Sequence, residues 1–228
     1  MLLKDKVCIV TGAAGEKGIG LRTAKLFYEH GASIVISDIN QQACDQVRSE
    51  FDPERSLVVV GNVANRDDCF NLAKAVTDKF GRIDVLINNA GVSNACPMEI
   101  YPENEHRLLF ETNYWGPVHL TQAVLPGMRA RGHGAIVNVS SILGRVAVVN
   151  QAAYCASKFA IEAFSESLAL EVAPMGIRVI IIEPGVIATP IFEKTPVHYD
   201  KTSPYRQAMR QGGRFYRASI PRATPPEE

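Results

Sequence analysis

The sequence has few cysteines, no excess of charge of either sign and no long hydrophobic run. Its five cysteines (Cys8, Cys44, Cys69, Cys96 and Cys155) lie far apart without a Cys-x-x-Cys pair, which predicts buried thiols in a reducing compartment rather than disulfides or a zinc site. The 24 basic and 24 acidic side chains balance, and Lys and Arg do not cluster, so no nucleic-acid partner is expected. No apolar run approaches the roughly 18 residues that a membrane span needs. We therefore expect a cytoplasmic protein with no membrane span and no metal site.

Short runs rich in Val and Ile alternate with segments of helical period. The strands are predicted at residues 7–10, 33–37, 57–60, 85–87, 135–139 and 179–182, and helices at 20–30, 41–51 and 67–80. Because these strands are continuously apolar, both of their faces should be buried, as in a parallel sheet covered by helices on each side. The pattern predicts an α/β fold, a doubly wound parallel sheet of the Rossmann type, in a single domain spanning residues 1–228 with its core at 1–189.

The chain changes character after residue 190, where prolines interrupt it repeatedly. Large apolar side chains are nevertheless frequent there, at Phe192, Tyr199, Tyr205, Met209, Phe215 and Tyr216. A solvated tail would carry fewer of them. We therefore predict that residues 190–228 contain a lid that closes over a ligand.

A glycine-rich segment follows the first strand and precedes the first helix. Gly12, Gly18 and Gly20, with Ile19 between the last two, are expected to let the backbone approach a pyrophosphate at the helix N-terminus. Asp38 ends the second strand, where a carboxylate binds ribose hydroxyls and repels a 2′-phosphate, so it favours NAD over NADP. Lys17 favours NADP, but it lies in a turn of uncertain path. The alternative role for Asp38 is a cap of the helix that starts near Gln41.

Four further features occur in a fixed order. They are the Asn-Asn-Ala-Gly segment at residues 88–91, Asn113, the pair Ser140-Ser141, and Tyr154 with Lys158 four residues later. On a helix, Tyr154 and Lys158 share one face. Each feature alone is commonplace: such a pair is usually solvated, and two serines after a strand usually form a turn. In this order and combination, however, the chain resembles the short-chain dehydrogenase/reductase family, in its compact branch, over residues 7–189.

The resemblance implies roles for individual residues. Tyr154 would be the acid/base, Lys158 would lower its pKa and bind the nicotinamide ribose, Ser141 would orient the substrate oxygen, and Asn113 would hold a water beside Lys158. Asn62 and Val63 would flank the adenine, with Asn62 in place of the usual aspartate. The remaining cofactor contacts implied are Asn89, Ala90, Gly91, Pro184, Gly185, Ile187 and Thr189.

The sequence departs from this family in two places. Five residues separate Gly12 from Gly18, which is explained either by a two-residue insertion or by the turn of a longer branch; the register to Asp38 favours the insertion. Residues 224–227, Thr-Pro-Pro-Glu, predict the start of a helix with Thr224 as N-cap. We expect the sequence to stop before the final helix and edge strand of the family.

The predicted function is hydride transfer between NAD(H) and a hydrophobic secondary alcohol or ketone. The loop between Ser141 and Tyr154 carries Ile142, Leu143, Val146, Val148 and Val149, with Arg145 and Gln151 among them. Some of these are expected to pack in the core, and the rest, with the aromatic lid, to line a largely apolar pocket. Alternatives are an NADP-dependent ketone or 3-oxoacyl reductase, and a dinucleotide-binding protein without turnover. The family also implies a homodimer or homotetramer, and an apolar outer face at Phe159, Ala163 and Leu170 is a candidate interface.

Overall fold

The computed structural model describes residues 1–191, 195 and 202–226, apart from the side chains of 215–217 and 219. Six parallel strands form one sheet in the order β3-β2-β1-β4-β5-β6. The strands are β1 (Val7–Thr11), β2 (Ser33–Asp38), β3 (Ser56–Val60), β4 (Val85–Asn88), β5 (Gly134–Val139) and β6 (Ile177–Ile182). Every predicted strand is present, extended by one or two residues, so the predicted parallel α/β fold is confirmed.

Seven α-helices are present in the described residues. They are α1 (Ile19–Glu29), α2 (Gln41–Arg48), α3 (Arg66–Phe80), α4 (Glu103–Phe110), α5 (Gly116–Arg131), α6 (Ala152–Val172) and α7 (Arg206–Ser219). A π-helical turn, Glu111–Trp115, joins α4 to α5, and a 3-10 turn, Ile142–Gly144, follows β5. In the part of the chain that the structure describes, no helix is both long and apolar enough to cross a membrane.

Two hydrophobic cores cover the two faces of the sheet. Ile9 of β1 packs in one core with Leu72 of α3 and Leu120 of α5. Its neighbour Val10 packs in the other core, with Leu21 of α1. Successive side chains of a strand point to opposite faces, so an apolar run buried on both sides produces this arrangement. All five cysteines are free and buried, as predicted.

The strand order reverses between β1 and β4, which places a crevice at the carboxyl ends of the strands. In open α/β sheets this switch point is where ligands bind. The predicted site residues follow the carboxyl ends of all six strands: Gly12, Asp38, Asn62, Asn89, Ser141 and Pro184.

The C-terminal segment differs from the prediction at Thr224. Instead of capping a helix, Thr224 forms a parallel bridge with Ile187. Its backbone N–H donates to the Val186 carbonyl at 3.1 Å, and its carbonyl accepts from the Ala188 N–H at 2.9 Å. The predicted helix start is therefore wrong for residues 224–226, because backbone pairing with residues 186–188 fixes this segment. Glu227, like Phe192 and Tyr199 of the predicted lid, lies outside the described residues.

Candidate active site

A cavity of about 1160 Å³ runs along the carboxyl ends of the strands. Most of the predicted site residues line it: Gly12, Gly18, Ile19, Asp38, Asn62, Val63, Asn89, Ala90, Gly91, Ser141, Tyr154, Lys158, Pro184, Gly185, Ile187 and Thr189. Gly20 and Asn113 do not line it. The cavity therefore brings together residues predicted separately for dinucleotide binding and for catalysis.

The glycine-rich turn needs glycine at two positions for different reasons. Gly12 has φ +62°, and a Cβ there would lie 2.7 Å from the Ala90 Cα. A Cβ on Gly20 would lie 2.6 Å from Asn89 Nδ2 and 2.7 Å from the Gly12 carbonyl oxygen. Gly20 thus lets α1 pack closely against the turn instead of facing the cavity. Gly18 is the N-cap of α1 and lines the cavity.

Asn89 anchors the turn from the adjacent strand. Its Nδ2 donates to the Thr11 carbonyl at 2.8 Å and to the Gly12 carbonyl at 3.1 Å. In return, Thr11 Oγ1 accepts from the backbone N–H groups of Asn89 and Ala90, both at 3.1 Å. The Asn89 side chain is therefore occupied in holding β1 and β4 together, a role that its position in the sequence motif did not reveal.

Asp38 lies at the end of β2 beside the glycine-rich turn. Its Oδ2 accepts from the Ala14 N–H and its Oδ1 from the Asn40 N–H, both at 3.1 Å. Asn40, not Asp38, caps α2, since its side chain accepts from the Ala43 N–H at 3.0 Å. The alternative role of Asp38 as the helix cap is therefore wrong. Lys17 is exposed and is not part of the cavity lining.

Tyr154 and Lys158 lie one turn apart on α6 and both face the cavity. Lys158 Nζ is 5.7 Å from the centroid of the Tyr154 ring and donates to the Val139 carbonyl at 2.9 Å. Lys158 is only 6% exposed. Burial lowers the pKa of Lys158 to about 8, while the nearby Glu162 carboxylate acts in the opposite direction. The ammonium form is thus retained at neutral pH but is close to its titration range.

Ser141 opens the 3-10 turn after β5. Its Oγ accepts from the Leu143 N–H at 3.1 Å, which fixes the hydroxyl at the cavity wall. As the sequence spacing predicts, the chain folds back between Ser141 and Tyr154, so that both residues line the same cavity.

Asn113 lies in the π-helical turn and is almost completely buried. Its Nδ2 donates to the Val92 carbonyl at 2.9 Å and to Ser157 Oγ at 3.1 Å, and Ser157 Oγ donates to the Tyr154 carbonyl at 2.8 Å. A Cβ on Gly91 would lie 3.4 Å from Asn113 Oδ1 and 3.9 Å from Lys158 Nζ. Asn113 Oδ1 and Lys158 Nζ therefore both lie close to Gly91. The Asn113 amide nitrogen also links the Val92 backbone to Ser157, which in turn bonds the backbone of Tyr154.

Part of the loop between Ser141 and Tyr154 lines the cavity. Ile142, Leu143 and Val149 line the cavity, whereas Val146, Val148 and Gln151 do not. Arg145 points instead to an ion-pair cluster, with N–O distances of 3.2 Å to Glu162, 3.1 Å to Glu166 and 3.0 Å to Glu183. Met209 and Arg210 of α7 also line the cavity.

Sequence reasoning missed one polar part of the wall. Asn94, Tyr101 and Glu105 all line the cavity, and Asn94 Nδ2 donates to Glu105 Oε2 at 3.2 Å. Burial, followed by the Glu105 charge, raises the pKa of Tyr101 to about 12. Their position after the carboxyl end of β4 is the signal that could have identified them.

Known proteins resemble this chain over most of its length. The sequence profile of the family described as short chain dehydrogenase matches residues 6–200. A 3-oxoacyl-[acyl-carrier-protein] reductase of Thermotoga maritima is 36% identical over 217 residues, covering 94% of this chain and 86% of the relative.

Two crystal structures extend the comparison to three dimensions. A short-chain dehydrogenase from Streptomyces avermitilis is 35% identical with a TM-score of 0.86, covering 97% of this chain and 79% of the other. A xylitol dehydrogenase bound to NAD+ is 34% identical with a TM-score of 0.76, covering 82% of this chain and 72% of the other.

Proposed function

Because the chain belongs to the short-chain dehydrogenase family of nicotinamide-dependent oxidoreductases, we propose that it transfers a hydride between NAD(H) and a hydrophobic secondary alcohol or ketone. One observation carries this proposal. Tyr154, Lys158 and Ser141 face the same cavity as the glycine-rich turn and Asp38. A dinucleotide bound along the turn would thus extend toward a proton donor and a hydroxyl group that can orient a substrate.

The residues present fit a dinucleotide. The close approach of Gly12 to Ala90 leaves no space for a side chain at the turn, and the open surface at Gly15, where a Cβ would meet no atom within 4 Å, faces the cavity. The N-terminus of α1 at Gly18 supplies backbone N–H groups for a pyrophosphate. When bound, the nicotinamide ring accepts or donates the hydride.

Tyr154 is the group that we assign to proton transfer. In oxidation its phenolate takes the proton of the substrate hydroxyl, and in reduction its hydroxyl returns a proton to the carbonyl oxygen. The Lys158 ammonium nitrogen lies 5.7 Å from the centroid of the Tyr154 ring, and its positive charge favours the phenolate. Ser141 Oγ is held in place by the Leu143 N–H, so it can donate to the same substrate oxygen.

The proposed mechanism predicts that Tyr154→Phe abolishes turnover but not dinucleotide binding. Loss of general acid/base catalysis typically costs about 10²- to 10⁴-fold in rate. Hydride transfer is followed by nicotinamide absorbance with a panel of secondary alcohols and ketones, and dinucleotide affinity by fluorescence titration. Tyr28→Phe is the matched control, since Tyr28 lies on α1 and is not part of the cavity lining. Full turnover by Tyr154→Phe contradicts the mechanism. A parent that binds dinucleotide and turns over no member of the panel would favour the non-catalytic alternative.

We infer a preference for NAD from the position of Asp38. Its carboxylate lines the cavity beside Ile39, where a 2′-phosphate would meet a negative charge, and the exposed Lys17 is not part of that lining. The NAD+-bound xylitol dehydrogenase supports this preference.

The Thermotoga maritima relative favours a second candidate function, an NADP-dependent ketone or 3-oxoacyl reductase. The two are separated by measuring the affinities of NAD and NADP for the parent and for Asp38→Ala. We expect the parent to prefer NAD and the variant to gain NADP affinity, about tenfold if one repulsive interaction of about 1.4 kcal/mol is removed. Asp45→Ala is the control, because Asp45 lies on α2 outside the cavity lining. A parent that prefers NADP would support the second candidate.

The substrate end of the cavity supports an apolar substrate. The apolar side chains that line it include Ile142, Leu143 and Val149 from the Ser141 side and Met209 and Ile220 from the C-terminal segment. Such walls favour a hydrophobic alcohol or ketone, with Tyr154 and Ser141 as the polar groups that fix its orientation.

A further inference from the structure

Glu162 is a buried carboxylate that the mechanism above does not use. It is 3% exposed and lies on α6 one turn after Lys158. Among the described residues, none donates a hydrogen bond to either of its oxygens. Its cationic neighbours are Arg145, whose Nη2 lies 3.2 Å from Glu162 Oε2, and Lys158. A buried charge is retained only where opposite charges compensate for its lost hydration, so Glu162 depends on these two cations.

Arg145 connects Glu162 to the turn that carries Ser141. Its backbone N–H donates to the Ile142 carbonyl at 3.0 Å, so it is the residue that closes this turn. Gly144, the preceding residue, lies directly against Glu162: a Cβ on Gly144 would be 3.0 Å from Glu162 Oε1 and 2.7 Å from Ser140 Oγ. The turn after Ser141 and the helix that carries Tyr154 and Lys158 therefore meet at Glu162.

We propose that Glu162 is a positioning residue of this active site, whose buried carboxylate places a negative charge one helical turn from Lys158 and holds the Ser141 turn against α6 through Arg145. This inference rests on the proposed function for its catalytic meaning. Its structural basis is the juxtaposition of three elements, α6, the Ser141 turn and the end of β6, where Glu183 also binds Arg145.

The charges around Glu162 indicate which effect its removal should have. On α6, Lys158 lies one turn before Glu162, and Glu166 lies one turn after it. Glu166 also pairs with the Arg145 guanidinium, at 3.1 Å. From the turn after β5 comes Arg145, and from the end of β6 comes Glu183. Lys158 is buried, and the Glu162 carboxylate is the charge that offsets this burial. Replacing Glu162 by a neutral residue should therefore lower the pKa of Lys158.

The direct test measures this titration in the free protein. The protein is labelled with ¹³C at lysine Cε, and the Lys158 resonance is identified as the one that is missing in Lys158→Arg. The midpoint of the Lys158 titration is then measured by NMR. We expect Glu162→Gln, which keeps the shape and removes the charge, to lower the midpoint by about one pH unit. Glu166→Gln is the matched control, because Glu166 also pairs with Arg145 but is exposed. The Lys158 midpoint in this variant should equal that of the parent. An unchanged midpoint in Glu162→Gln would overturn the proposal.

A second variant covers the case in which Glu162→Gln does not fold. Glu162→Met removes the same charge with an apolar side chain of similar length, and Arg145 keeps Glu166 and Glu183 as its carboxylate partners. The same fall of the Lys158 midpoint is expected, and an unchanged midpoint again overturns the proposal.

Activity provides a readout that separates this inference from the proposed function. In the parent and in Glu162→Asp, which restores the charge, the rate of alcohol oxidation should decline at the same alkaline pH, whereas in Glu162→Gln the decline should begin about one unit lower. Without turnover by the parent, the proposed function fails, yet the NMR midpoint still decides the role of Glu162. With turnover by the parent and an identical pH profile for Glu162→Gln, the role of Glu162 fails alone.

Discussion

At the scale of single residues, the ammonium group of Lys158 is buried and almost inaccessible to water. Burial lowers its pKa from 10.5 to about 8, so the folded protein binds this proton less readily than the unfolded chain does. Between pH 8 and 10.5 the unfolded state therefore carries more protons, and the contribution of this lysine to stability rises with pH. Below pH 8 both states are protonated and the cost of the buried charge is complete.

The prediction is that Lys158→Met removes this pH dependence. The free energy of unfolding of the parent, relative to that of the variant, should rise between pH 7 and pH 10.5 by at most about 3 kcal/mol, since one pKa unit corresponds to about 1.4 kcal/mol. Urea unfolding at the two pH values measures it. Lys74→Met is the control, because Lys74 is exposed on α3. A parent-to-variant difference that is equal at both pH values would contradict the pKa of the buried amine.

The residues that could be predicted from sequence are those whose chemistry is local to a motif. Tyr154 and Lys158 are four apart on a helix, so their shared face follows from helix geometry. Gly20 and Asn89 have roles that depend on a contact between segments distant in sequence, in which the Asn89 amide occupies the space that a Cβ on Gly20 would need. The sequence motif identified both residues but not this packing.

At the scale of elements, the strands were predictable and the connections that carry the site were not. The β-branched runs specify buried strands regardless of their neighbours. The π-helical turn around Asn113 has no such signal, since it depends on the contacts of Asn113 with Val92 and Ser157. Likewise, Gly212 and Gly213 argue against a helix, yet α7 includes both.

Gly212 of α7 lies next to the loop that precedes α6. A Cβ at this position would lie 3.5 Å from Asn150 Nδ2 and 3.6 Å from Val149 Cγ1, which is ordinary contact. Gly212→Ala should therefore leave the kinetics unchanged. Gly212→Leu should displace α7 and raise KM about tenfold, which corresponds to about 1.4 kcal/mol of substrate binding free energy. Steady-state kinetics measures KM, and dinucleotide titration should give the parental affinity for both variants. An unchanged KM in Gly212→Leu would show that the position of α7 contributes nothing to substrate binding.

At the scale of the whole molecule, α6 presents apolar side chains to solvent on the face opposite the site. Phe159 is 45% exposed and Leu170 is 81% exposed, and both lie on the same side of the helix. We propose that a second copy of the chain covers this face. The double variant Phe159→Glu with Leu170→Glu should then sediment as a smaller species than the parent. The control is Leu26→Glu, an exposed leucine on α1. Identical sedimentation of the parent and the double variant would place any subunit contact elsewhere.

The hydrogen bonds between Thr11 and Asn89 have a consequence for how the molecule folds. These hydrogen bonds join residues that are 78 positions apart, and β4 lies between β1 and β5 in the sheet. Closing so long a segment is entropically costly and slows folding. During synthesis on a ribosome, the glycine-rich turn cannot reach its final geometry until β4 has emerged from the exit tunnel. The first segment of the nucleotide crevice to be translated is therefore among the later ones to become rigid.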